Sequence, residues 1–169
     1  AHDERGARSA CVQASRRNMA AAVPVADAPP PLTTTTVACS NEVMESWGMR
    51  WRLPAGLNPD AIRAWRGAFG TVWRVVALDD DCGIDVCEWI KSRGLLDMIN
   101  LRDDDEWSPL HHVVADTGGD RQREELKARW MMANGADVNA VDDENTTTFS
   151  WACYRRSLSF VQELAGKVT

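Results

Sequence analysis

The side chains able to do chemistry in this 169-residue chain fall into three groups: a histidine pair, a cysteine pair and three acidic runs. His111 and His112 are adjacent, so on a helix their side chains diverge and do not chelate one ion together. Cys82 and Cys87 have no second Cys or His pair at zinc spacing. The acidic runs at 79–81, 103–106 and 142–144 suggest an oxygen-coordinated cation such as calcium. Counted from Asp79, however, the twelfth position is Ile90, where a calcium loop requires a bidentate Glu. The runs therefore read as solvated turn carboxylates. No glycine-rich phosphate loop, nucleophile elbow or His-Asp-Ser constellation is present in the sequence. The expectation is a protein without catalysis, metal or cofactor.

Charge narrows the partners. The net charge is −6 and uneven: residues 1–70 carry eight Arg and six acids, whereas 71–169 carry eleven basic and nineteen acidic residues. An acidic half repels nucleic-acid phosphates and anionic membranes. No apolar run approaches the eighteen or so residues of a spanning helix. The five cysteines (11, 39, 82, 87, 153) are odd in number and scattered, which favours reduced thiols in an intracellular compartment. Hydrophobic residues make up 44%, enough for a core, with eight Trp against one Tyr and three Phe.

The elements that must position these residues start late in the chain. Residues 1–40 combine Ala and Val with three consecutive Pro and a Thr run, and read as an extended, low-complexity arm. Arg5, Arg8, Arg16 and Arg17 with few acids, then a short apolar run ending in small residues, also resemble an organelle leader or its remnant. In a second segment, 41–70, Trp47, Met49, Trp51 and Leu53 alternate with polar residues or Gly. That period of two predicts an extended stretch packed on the domain or anchoring a partner. Asn58-Pro59-Asp60 then starts a helix whose stripe is Ile62, Trp65 and Phe69, stopped by Gly70 and suited to capping the open end of the C-terminal region.

From 71 to 169 the pattern recurs. Helix starts with a hydroxyl cap fall at Thr71, Ser108 and Thr147, 37 and 39 residues apart. Second helices carry stripes at Val86, Trp89, Ile90, at Leu126, Trp130, Met131, and at Leu158, Val161, Leu164. In the second of these, Glu125 and Arg129 pair on the outside. Gly94 and Gly135 suit the left-handed position after a helix. Asn100 to Glu106 aligns with Asn139 to Asn145 position for position.

The stretch Gly135-Ala136-Asp137-Val138-Asn139-Ala140, and the start Ser108-Pro109-Leu110-His111, resemble the junction and opening motif of ankyrin repeats. The resemblance covers 71–169, about 60% of the chain. It implies an all-α, ankyrin-like helix-turn-helix solenoid with acidic β-hairpin-like loops, its N-terminal arm extended. The spacings exceed the roughly 33 residues of that repeat. Glu106 stands where the family has Gly, so its hairpin is expected to be distorted or relaxed. The third unit reaches Thr169 without a polar closing helix, which is expected to leave an apolar end for a partner to cover.

What the resemblance implies for function is protein–protein binding. His111 would be a structural residue bonded between neighbouring repeats. Carried over by position, the partner face comprises Asp104, Asp105, Trp107, Ala115 and Asp116, then Asp143, Glu144, Thr146, Tyr154 and Arg155. That set suits a basic, partly apolar protein surface. Trp107 is hard to justify by core packing and is the foremost contact candidate; Trp47 and Trp51 are added as partner anchors. The expected role is an accessory subunit of a larger assembly. If the leader reading holds, that assembly sits in a plastid or mitochondrion, as a membrane complex met from its soluble side. The alternative is a free, reversible cytosolic adaptor.

Overall fold

The computed structural model describes residues 39–66, 70–116 and 118–169. The chain divides into Ala1–Thr35 and Thr36–Thr169, and every described residue lies in the second part. The expected arm and leader therefore lie outside the described residues up to position 38. The described residues form eight α-helices and no strand, and an isolated antiparallel bridge joins Val141 to Thr147.

Helix α1 (Asn41–Trp51) replaces the expected extended segment. Ser40 accepts from the Val43 N–H, and Glu42 lies in the first turn, where a negative charge complements the helix dipole. The alternation of Trp47, Met49 and Trp51 pointed to period two, but the face that packs is helical. Met44 and Gly48 are buried and Trp51 half-buried, at i, i+4 and i+7. Gly48 lets Leu57 pack closely there, since a Cβ would come within 3.1 Å of Leu57 Cδ2. Arg52, in the left-handed region at φ 57°, ends the helix, and the Leu53 N–H returns to the Gly48 carbonyl.

Asn58 caps α2 (Pro59–Ala64) as expected, accepting from the N–H groups of Asp60 and Ala61. The helix is shorter than predicted. Trp65 already has extended φ/ψ and ends it, while Phe69, the last residue of the expected stripe, lies outside the described residues.

Three helix pairs come next: α3 (Val72–Leu78) with α4 (Ile84–Ser92), α5 (Pro109–Ala115) with α6 (Arg121–Ala133), and α7 (Thr148–Arg155) with α8 (Leu158–Ala165). The caps Thr71, Ser108 and Thr147 each accept from the backbone N–H three residues on. The first helices pack in a row, α3 on α5 on α7, and α4 packs on α6. Gly94 and Gly135 take the left-handed positions after α4 and α6, at φ 73° and 94°.

The wealth of Trp has a structural use. Five indoles donate across elements: Trp51 to Asp79, Trp73 to the Leu95 carbonyl, Trp89 to Asn41, Trp130 to Glu88 and Trp151 to Asp142. Each ring thus buries apolar area while its N–H is satisfied.

Helix α6 turns a charged face inward, against expectation. Glu125 is buried, not outside, because its carboxylate receives the Ser157 N–H at 2.7 Å and hydroxyl at 2.9 Å at the start of α8. Leu126 is exposed instead. Leu158 is likewise exposed and Phe160 takes its place in the core.

Candidate partner-binding turns

Asp103 and Asp142 each build a turn from their own carboxylate. Asp103 Oδ1 accepts from the N–H groups of Asp105 at 3.1 Å and Trp107 at 2.9 Å. Asp142 Oδ1 does the same for Glu144 at 3.1 Å and Thr146 at 2.7 Å. The main chain closes both turns, Asp103 N–H to Trp107 O and Asp142 N–H to Thr146 O. The second carboxylate oxygen holds the first turn of the next helix: His112 Nε2 meets Asp103 Oδ2 at 2.7 Å, and Trp151 Nε1 donates to Asp142 Oδ2 at 3.3 Å. One construction is therefore made twice, with different residues at the anchor.

Both turns need a left-handed corner, supplied by Glu106 at φ 59° and Asn145 at φ 57°. The expected distortion at Glu106 does not occur. Its turn keeps the same hydrogen bonds as its counterpart, and Arg102 Nη1 pairs with Glu106 Oε2 at 3.2 Å.

The first turn is electrostatically set. Burial alone would push the Asp103 carboxyl up, but the His112 hydrogen bond, the Trp107 N–H and the charges of His112 and Arg74 hold it below the usual range. Burial pulls His112 below the ordinary imidazole value more strongly than Asp103 raises it. His112 is thus neutral near pH 7, and its Nε2–H donates to Asp103. Burial also lowers His111, whose Nδ1 meets the Ser108 N–H at 3.3 Å and hydroxyl at 2.9 Å. Its Nε2 faces the Thr146 and Ala140 backbone of the following turn without reaching good hydrogen-bond geometry.

Adjacent turns are tied together. Asn100 Nδ2 donates to Gly135 O, and its Oδ1 accepts from Asp137 N–H; Arg102 Nη1 reaches Val141 O at 3.0 Å. Asp104, Asp105, Asp143 and Glu144 stand exposed at the tips. Thr146 and Ala115 are half-buried, while Tyr154 and Arg155 are exposed near the end of α7, one helical turn beyond Trp151.

Trp107 departs from expectation, since packing does account for it. Half-buried, its ring centroid lies 5.1 Å from those of Trp151 and His112 and 6.0 Å from that of His111. Trp51 also serves the fold, through its bond to Asp79. Trp47 falls on α1, and its expected anchor role lies outside the described side chains.

Two further groups bear on cofactor chemistry. Burial pushes the Cys87 thiol up to about 12, Cys39 to about 11 and Cys82 higher still, so none is a ready thiolate. Asp80, Asp116 and Glu124, from three separate places in the chain, bring one carboxylate oxygen each within 4.8 Å of one another. No spacing in the sequence signals that cluster. Comparison with family models, characterised proteins and solved structures gives no match. No helix among the described residues is long and apolar enough to cross a membrane.

Proposed function

We propose that this chain is a non-catalytic protein–protein interaction module, an ankyrin-like array of three helix pairs that serves as an accessory subunit of a larger assembly. The observation that carries the reading is the duplicated turn. Asp103 and Asp142 fold their loops by the same bonds, and both loops present paired exposed acids, Asp104 with Asp105 and Asp143 with Glu144. Tips fixed by their own side chains lose little entropy on binding. Four carboxylates on tied neighbouring loops, beside the half-buried Trp107 and exposed Tyr154, suit a basic partner surface with an apolar element.

A photo-crosslinking residue placed at Asp104 or Asp143 in the full chain, expressed in its source cells, tests this. Both positions are expected to yield adducts with the same protein, whereas the exposed Gln162 on α8 yields none. Equal labelling at all three positions, or none at the tips, would overturn the reading.

A further inference from the structure

We infer that Asp80, Asp116 and Glu124 form a binding site for a hard divalent cation, calcium in preference to magnesium. Three segments meet there: the loop after α3, the loop after α5 and the first turn of α6. Their carboxylate oxygens all lie within 4.8 Å of one another. Oxygens about 2.4 Å from one calcium ion fit within that limit, and calcium accepts an irregular set of carboxylates and waters, whereas magnesium demands near-octahedral geometry.

Acidic clusters on surfaces are common, and a second observation distinguishes this one. Glu124 is 1% exposed, and neither of its carboxylate oxygens reaches hydrogen-bond geometry with a donor among the described residues. Oε1 has an ion-pair contact with Lys127 Nζ at 3.0 Å; Oε2 has no ion pair or hydrogen bond among the described residues. A buried carboxylate normally accepts several hydrogen bonds or coordinates a metal.

The lysine is already engaged elsewhere. Its ammonium donates to the carbonyls of Val76 and Asp79 at the end of α3, which leaves one donor for Glu124.

The backbone makes room at the same point. A Cβ on Gly119 would lie 2.4 Å from Asp80 Oδ1 and 3.3 Å from Glu124 Oε1, so the two carboxylates converge over Gly119, where a side chain would displace Asp80. Asp80 is held in place by Arg123, whose guanidinium donates to its carbonyl at 2.9 Å. Asp116 accepts from the Gly118 N–H at 3.0 Å. The donor set is oxygen alone, without imidazole or thiolate, which excludes a preference for zinc or copper. Asp80 is exposed, so water can fill the remaining positions. With Lys127 and Arg156 reducing the local negative charge, the affinity belongs with the weaker calcium sites, Kd on the order of 10⁻⁴ M.

Calorimetric titration of the metal-free full chain with calcium chloride tests the assignment, with magnesium chloride at equal ionic strength alongside. One calcium per chain is expected, with at least tenfold weaker magnesium binding and a rise of several degrees in the unfolding temperature at millimolar calcium. Asp80→Asn, an exposed change that leaves the fold intact, should weaken binding at least tenfold, and Glu124→Gln should do the same. Asp104→Asn, outside the cluster, should leave it unchanged. Absence of calcium binding at millimolar concentration, equal binding of magnesium, or calcium binding insensitive to both Asp80→Asn and Glu124→Gln would overturn the site.

Discussion

Lys127 shows how a charged residue becomes part of this core. It is fully buried, yet its ammonium caps the end of α3 through Val76 O and Asp79 O and faces Glu124. Arg156 repeats the device one helix on, donating to Val113 O, Val114 O and Asp116 O at the end of α5. Both cations satisfy carbonyls that a helix leaves without partners at its C-terminus. Lys127→Met should lower stability by about 3–5 kcal/mol, because Glu124 then remains buried without its counter-charge. Urea unfolding measures this as a lower midpoint at unchanged slope. The double change Lys127→Met with Glu124→Gln should recover much of the loss. A cost under about 1 kcal/mol for the single change would show the pair to be solvated.

At the scale of elements, start signals were legible because each is chemically local. Asn58, Thr71, Ser108 and Thr147 all cap the helices that come after them. The glycines that end α4 and α6 were legible for the same reason. Helix α1 was not, since its aromatics alternate while the residues it buries, Met44 and Gly48, are less conspicuous. Nor was the inward face of α6, whose charged residues find partners on distant loops. The acidic turns were visible as turns, but their anchoring by His112 and Trp151 was not. The carboxylate cluster was invisible, because Asp80, Asp116 and Glu124 meet only in three dimensions.

The turns also carry a prediction about strain. Glu106 holds φ 59°, a region costing about 1–2 kcal/mol for a residue with a Cβ, and its exposed pair with Arg102 offsets only a fraction of that. Glu106→Gly should raise stability by roughly 0.5–1 kcal/mol, a shift of a few degrees in Tm. Asn145→Gly should gain less, since Asn tolerates this conformation better. Thermal unfolding of the two variants checks the order, and a loss of stability in Glu106→Gly would show that the Arg102 pair outweighs the backbone.

For the whole molecule, the helix pairs stack by contacts between successive first helices, by Asn100 and Arg102 reaching the next turn, and by Lys127 and Arg156 reaching back. This arrangement leaves the side chains of Asp104, Asp105, Asp143 and Glu144 without a hydrogen bond or ion pair among the described residues, so they can change without loss of the fold. The central claim, that those tips join the chain to a larger assembly, is tested most directly by native size in a gentle extract of source cells. The wild-type 18.7 kDa chain should migrate in a particle several times its own mass. A variant with Asp104, Asp105, Asp143 and Glu144 all changed to Lys should keep its helical circular dichroism and migrate alone. A wild-type chain that migrates as a free monomer, or a charge-reversed chain that stays in the large particle, would contradict the account.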